Sequence, residues 1–258
     1  MTLFMKVGSE KYLAYSMNNV AKPQLIILPG WGGSKESWSD FRDLAAKNFE
    51  VHCIELPCFG NEPCPKDVWG VENYATFVQK KMEKILCSDG QKRFLLGHSF
   101  GGQTATYVAA KNLIHIDGLI LAAASIVRPK KSVKRFILFI LSKIAKIPGL
   151  QKFFKKHREQ IYNRIGSPDY TKTQGVQQDI YKKVIRQDLQ NLLNNITIPT
   201  LLVWGTKDRY TPLKYARRIA KKIRNCSLQV IPNATHGLHH KTKQEFFQIV
   251  NTYAQRIS

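Results

Sequence analysis

The sequence predicts an α/β fold: a mostly parallel eight-stranded sheet with helices on both faces and a helical insertion that breaks the alternation. Three observations carry this expectation. Short runs rich in leucine and β-branched residues alternate with longer segments of helical pattern, as in βαβ units. The later runs are apolar throughout, which suits strands buried on both faces. Residues fit for chemistry fall just past the ends of these runs, where ligands sit in such sheets.

The eight runs lie at about 3–7, 11–16, 24–28, 50–55, 93–97, 118–123, 200–204 and 227–231. Val7-Gly8-Ser9-Glu10-Lys11 reads as a hairpin turn between the first two. Helices are expected over about 35–48, 67–87, 99–112, 212–224 and 241–256. Between Arg128 and Asn195 the alternation stops, and Gly149, Gly166-Ser167-Pro168 and Gly175 divide this stretch into short helices. Residues 1–127 and 196–258 are therefore read as one core, with 128–195 as a helical cap insertion hinged near Val127-Arg128-Pro129 and Ile196-Thr197-Ile198-Pro199.

The densest chemical signal is Gly97-His98-Ser99-Phe100-Gly101, set between the apolar run Phe94-Leu95-Leu96 and the helix-like Gln103–Ala110. A serine on a sharp strand-to-helix turn needs small neighbours, because the backbone is strained and approaches itself closely. A serine hydroxyl is a weak nucleophile until a histidine takes its proton, and an acid must hold that histidine in the right tautomer. Asp208 follows the buried run Thr200–Gly205, and His236 follows the run Ser227–Ile231. Singly these read as a turn aspartate and a surface histidine; jointly with Ser99 they read as a triad. His98 is expected to pack the turn rather than act as a base, and His52, His115 and His157 to be structural or exposed. Oxyanion donors are expected from the backbone N–H of Phe100 and from that of Trp31, in the loop Pro29-Gly30-Trp31-Gly32-Gly33-Ser34.

Composition narrows the class. A chain of 258 residues with 43% hydrophobic and 10% aromatic content suits a globular enzyme with one substantial core. The amino-terminal residues lack the pattern of a signal peptide, and no run is long and apolar enough to span a membrane, so a cytoplasmic protein is expected. Cys53, Cys58, Cys64, Cys87 and Cys226 are odd in number and lack C-x-x-C spacing; they read as reduced thiols, with no metal site. The formal net charge is +22, and 128–195 alone carries 16 Lys and Arg against 4 Asp and Glu. No helix-turn-helix, zinc-finger or RNP-like pattern accompanies the charge, so no nucleic-acid partner is expected. Within the cap, lysines and an arginine flank the apolar centre of Ser132–Ile147, and Phe153-Phe154-Lys155-Lys156 repeats the theme. Packing over a substrate channel is the first expectation for this stretch, and weak contact with an anionic membrane is the second.

The sequence resembles the α/β-hydrolase superfamily, in particular its small cap-bearing serine esterases and C–C bond hydrolases. The resemblance rests on Leu28-Pro29-Gly30-Trp31-Gly32-Gly33, Ile54–Gly60, Leu96–Gly102, Pro199–Asp208 and Asn233-Ala234-Thr235-His236-Gly237, which span nearly the whole chain in the family's order. It implies the α/β-hydrolase fold, Ser99 as nucleophile, His236 as base, Asp208 as orienting acid, Trp31 and Phe100 as oxyanion donors, and no cofactor. Pro29, Glu55, Cys58 and Thr235 depart from the family's usual residues, but none replaces a catalytic group. The expected activity is hydrolysis of small or medium hydrophobic carboxylic esters, or of a related carbonyl substrate, through an acyl-enzyme. The alternatives are a C–C bond hydrolase for ring-fission β-diketones or dienoates, with Arg128, Arg158, Arg164 or Arg186 holding the substrate carboxylate, and a membrane-surface lipase or lysophospholipase.

Overall fold

All eight expected strands form, but they divide between two sheets. The computed structural model describes residues 3–6, 12–15, 21–85, 90–128 and 173–257. β1 (Leu3–Lys6) and β2 (Tyr12–Tyr15) pair antiparallel as a two-stranded sheet. β3 (Gln24–Leu28), β4 (Glu50–Cys53), β5 (Arg93–His98), β6 (Gly118–Ala122), β7 (Thr200–Gly205) and β8 (Cys226–Ile231) form a wholly parallel sheet in the order β4-β3-β5-β6-β7-β8. The mostly parallel sheet is as expected, with six of the eight strands joined by ladders among the described residues. A short link suits β1 and β2 to pair with each other, whereas parallel neighbours need long crossovers, and no ladder joins the two sheets among the described residues. The expected turn at 7–11 lies outside the described residues.

Six α-helices are described: α1 (Ser39–Ala45), α2 (Val71–Ile85), α3 (Phe100–Ala110), α4 (Gly175–Val184), α5 (Leu213–Ala220) and α6 (Lys243–Gln255). They cover both faces of the parallel sheet, and the strand period of two decides which residue meets which layer. Leu25 and Ile27 of β3 pack with Phe41 of α1 and Phe246 of α6. Ile26 and Leu28 pack on the other face with Tyr74 of α2, Ala105 of α3 and Ile219 of α5. The inner strands β3, β6 and β7 are buried along their length, while the edge strands β4 and β8 expose part of theirs. α3 is buried on nearly every side, so its threonines need internal partners. Thr104 and Thr106 donate their hydroxyls to the carbonyls of Phe100 and Gly102 one turn back, at 3.3 and 2.7 Å.

Residues 129–172 of the expected cap, including the Ser132–Ile147 stretch, lie outside the described residues. The carboxyl-terminal part of the insertion joins the core. Ile180 and Val184 of α4, with Leu189 and Leu193 beyond it, enter the cluster that contains α2 and α3. Gln187 accepts the N–H of Val71, the first residue of α2, at 2.8 Å and so occupies one of that helix's open amino-terminal donors.

Candidate active site

Four strand ends of the parallel sheet build the site. Ser99 follows β5 directly and precedes α3 with φ 51° and ψ −112°, a conformation rare for any residue with a side chain. Such backbone strain costs about 1–3 kcal/mol and persists only where its surroundings over-determine it. Here Ser99 N–H donates to Ala122 O at 3.0 Å, and Ser99 O accepts from Ser125 and Gln103 at 2.9 and 3.1 Å. Gly101 lies against the end of β3: a Cβ there would stand 2.1 Å from Leu28 O and 2.4 Å from Pro29 O.

The loop after β3 meets the same turn. A Cβ on Gly30 would stand 3.2 Å from Ser99 Cβ and 3.0 Å from His98 Nδ1, so the Gly30–Trp31 peptide runs beside the serine. Among the described residues, neither the Trp31 N–H nor the Phe100 N–H is engaged by another group. The Trp31 ring packs edge-on against Phe59, Phe100 and Tyr181 of α4, with centroid distances of 4.8, 5.3 and 4.9 Å.

Asp208 and His236 come together past β7 and β8. The two loops are stitched by Lys207 N–H to Ala234 O at 2.9 Å and Asn233 N–H to Thr206 Oγ1 at 2.8 Å. His236 Nδ1 lies 2.8 Å from Asp208 Oδ2; the carboxylate is fully buried and the imidazole one-fifth exposed. Asp208 Oδ1 accepts the N–H groups of Tyr210 and Thr211, each at 2.8 Å, and the Thr211 hydroxyl lies 2.8 Å from Oδ2. Burial alone would raise this carboxyl; the bonds from His236 and Thr211 outweigh it and hold Asp208 below its ordinary value. With Nδ1 donating to the carboxylate, His236 Nε2 keeps its lone pair. No hydrogen bond joins His236 to Ser99 Oγ among the described residues.

Four supporting residues were not assigned these parts in the sequence. Thr211 braces Asp208, and its carbonyl is fixed in turn by Trp204 Nε1 at 2.6 Å. The Asp-x-x-Thr spacing of an Asx-type turn is the signal that could have found it. His98, expected only to pack the turn, also donates Nε2–H to His236 O at 2.9 Å, which ties the elbow to the histidine loop. Burial, and then the neighbouring His236, push the His98 imidazole down to about 3, so it stays neutral. His239, buried, stacks on Trp38 at 4.0 Å and lies 5.0 Å from the His98 ring. Glu55, a departure from the family pattern, is buried and accepts the N–H groups of Lys35 and Asn61 at 2.9 and 3.0 Å.

One expectation is overturned. Cys58 and Cys64 form a disulfide, so the five cysteines are not all reduced thiols. Cys58 has φ 77°, and this turn brings it back to Cys64 although the spacing matches no familiar motif. Cys53 and Cys226 are free. Among the described residues no three His, Cys, Asp or Glu side chains could hold a metal ion together. No described helix is long and apolar enough to cross a membrane.

Known proteins are similar to this chain in sequence and in fold. The chain is 28% identical over 236 residues to a pimeloyl-[acyl-carrier protein] methyl ester esterase of Wigglesworthia glossinidia brevipalpis, covering 83% of this chain and 86% of that protein. It is 24% identical over 243 residues to monoacylglycerol lipase abhd6-B of Xenopus laevis, covering 84% and 71%. Among solved structures, an esterase from Exiguobacterium antarcticum superposes with a TM-score of 0.69 at 17% identity, over 91% of this chain and 92% of that one. MenH from S. aureus gives 0.68 at 20% identity, over 93% and 96%; at these identities the likeness is one of fold. The sequence profile of the alpha/beta hydrolase family matches residues 25–249, from β3 through most of α6. A parallel sheet, a strained serine turn and a match that runs nearly end to end agree on one conclusion: this chain is a hydrolase belonging to the alpha/beta hydrolase family.

Proposed function

We propose that the chain cleaves carboxylic esters of hydrophobic acyl groups through an acyl-enzyme, with Ser99 as nucleophile, His236 as base and Asp208 as orienting acid. The observation that carries this reading is the 2.8 Å bond between His236 Nδ1 and buried Asp208, latched through His98 to the strained turn at Ser99. Ser99 Oγ attacks the ester carbonyl as its proton passes to His236 Nε2. That proton then goes to the leaving alcohol oxygen, and water repeats the sequence to release the acid. The N–H groups of Trp31 and Phe100 hold the oxyanion of each tetrahedral intermediate, a role usually worth about 3–4 kcal/mol for a single donor. Asp208 keeps the histidine in the tautomer that leaves Nε2 unprotonated.

The ring cluster of Trp31, Phe59, Phe100 and Tyr181 supports an apolar acyl pocket, and the contact of Tyr181 in α4 with Trp31 supports the reading of 128–195 as a cap. The ester class is drawn from relatives whose names describe a methyl ester esterase and a monoacylglycerol lipase. A C–C hydrolase would need an arginine free to meet a substrate carboxylate. Arg128 instead directs Nε, Nη1 and Nη2 to Gln187 O, Ser125 Oγ and Val184 O, at 2.8, 3.0 and 3.0 Å. Arg186 is exposed on the surface, and Arg158 and Arg164 lie outside the described residues.

The test is turnover of p-nitrophenyl esters from acetate to palmitate by the intact chain and by Ser99→Ala, with fluorophosphonate labelling in parallel. Turnover and labelling that both vanish in Ser99→Ala support the reading, and the chain-length optimum sizes the pocket. Labelling without turnover of any ester would reject the ester class. Turnover that survives Ser99→Ala would reject the nucleophile.

A further inference from the structure

A second charged region lies next to the site and away from the cap. Between residues 207 and 224 the chain carries eight lysines and arginines and a single acid, Asp208, which is buried against His236. All eight basic side chains are exposed, and among the described residues none forms an ion pair. Helical spacing gathers them: Lys214, Arg217, Arg218 and Lys221 recur at three- and four-residue steps along α5 and its end, so they share one face. Ala216, Ile219 and Ile223 lie on the opposite face and are buried.

This stripe serves the fold only in part. Arg217 and Arg218 lie in the last turn of α5, where the helix dipole favours cations, and Lys214 and Arg218 lie over the Tyr215 ring at 5.6 and 5.9 Å. Against this, Lys214–Arg218 and Arg217–Lys221 are like-charge pairs one turn apart, each destabilising by a few tenths of a kcal/mol. Lys214 sits in the first turn and opposes the dipole. The stripe also begins at the site itself. Lys207 and Arg209 flank Asp208, and Tyr210, 57% exposed, has its ring centroid 5.1 Å from that of His236.

We propose that α5 and the acid loop form an electrostatic docking face for an anionic lipid bilayer. The purpose of this face rests on the acyl-ester reading, since docking would set the site against ester-linked acyl chains in the membrane plane; the binding itself does not. The stripe, about 10 Å long from Lys214 to Lys221, offers point charges without a carboxylate among them. A plane of negative headgroups meets that demand in any register. A protein partner would ask for a buried apolar anchor at the centre of the patch, and here the exposed aromatic, Tyr210, stands at the edge beside the site. That is where a tyrosine at headgroup level would lie. Each basic side chain near an anionic surface contributes about 1 kcal/mol, which salt screens.

The experiment uses the full chain carrying Ser99→Ala, so that no lipid is consumed. It is sedimented with phosphatidylcholine vesicles containing phosphatidylglycerol and with pure phosphatidylcholine vesicles, at low and high salt. Two charge-matched triple variants are compared: R217E/R218E/K221E on the stripe, and K66E/K80E/K111E on exposed lysines elsewhere. The expected result is salt-sensitive binding to the anionic vesicles alone. The stripe variant should weaken it at least about tenfold and the control variant no more than about threefold, a modest share of that effect. Because R217E/R218E/K221E sets carboxylates against the helix dipole in the last turn of α5, its melting temperature is read alongside. R217Q/R218Q/K221Q, which removes the charge without reversing it, should weaken binding in the same direction. Equal losses in the two charge-reversed variants would overturn the proposal in favour of net charge alone. Absence of binding to anionic vesicles, even where an acidic protein or an oligonucleotide binds, would overturn it as well. Turnover of soluble p-nitrophenyl butyrate by the Ser99 forms is read separately: its absence rejects the ester reading, and vesicle binding rejects or supports the docking face on its own.

Discussion

Ser99 and His236 are held by different means. Ser99 is fixed by backbone: its N–H and carbonyl are bonded to β6, the loop beyond it and α3, and Gly101 leaves no room for a side chain. His236 is fixed by side chains: Asp208 and Thr211 on one edge of the ring, and His98 on its own carbonyl. Backbone restraint acts as one unit and fails with the fold. Side-chain restraint is modular, so its parts can be removed singly and the losses graded.

The largest break in that comparison comes from Gly101→Ala. The new methyl would fall 2.1 Å from Leu28 O, a backbone atom that cannot swing away. Overpacking of this kind costs about 3 kcal/mol or more, which should lower the melting temperature by roughly 6–12 °C in a chain of this size. Hydrolysis should be lost with the elbow. Differential scanning calorimetry with the ester assay reads both; an active protein with unchanged melting would refute the steric account. Asp208→Asn comes next. It leaves the elbow alone but admits the wrong imidazole tautomer, so kcat should fall by about 10³–10⁴ with fluorophosphonate labelling slowed in step. Thr211→Val keeps the shape and removes one bond to the carboxylate. Losing about 1 kcal/mol of orientation should lower kcat about fivefold with KM nearly unchanged.

The smallest effect is one of pH. Burial pushes the His98 imidazole down to about 3 and that of His239 to about 2, so both are neutral in the fold. The unfolded chain would protonate them near about 6.5. The stability linked to their neutrality is therefore fully present above that value. It is lost as pH falls toward the folded values, at up to about 1.4 kcal/mol per pH unit for each group. His239→Phe retains a ring for the Trp38 stack and removes a buried Nδ1 that lacks a partner among the described residues. The acid slope of unfolding below pH 6.5 should shrink, by about half if the two histidines contribute alike, while stability at neutral pH should not fall. Urea titrations across that range would measure it, and an unchanged slope would show that His239 does not carry it.

The same contrast governs what could be read from the sequence. The strands declared themselves because burial on both faces demands continuous apolar runs, as in β3 and β7. The Ser99 turn was visible because its glycines are a steric demand expressed locally. Thr211, His98 and His239 were not assigned their parts, because a threonine or histidine has the same letter whether it braces a carboxylate, latches a loop or faces water. The pairing of Cys58 with Cys64 depends on a left-handed residue at Cys58, which no spacing rule encodes. How the eight strands divide between ladders was not legible for a related reason: strand patterns say which residues extend but not which edges join.

β6 and β7 are neighbours in register from Leu119↔Thr200 to Ala122↔Val203, although the chain departs at Ala122 and returns at Thr200. The entropy lost in closing such an excursion grows only with the logarithm of its length, by about 0.6 kcal/mol for each doubling. Lengthening or trimming this connection therefore burdens the sheet less than the loss of a single well-made hydrogen bond. Evolution could change the length of this connection between Arg128 and α4 while the core contacts of Ile180, Val184, Leu189 and Leu193 and the strand ends that carry Ser99, Asp208 and His236 stay where they are.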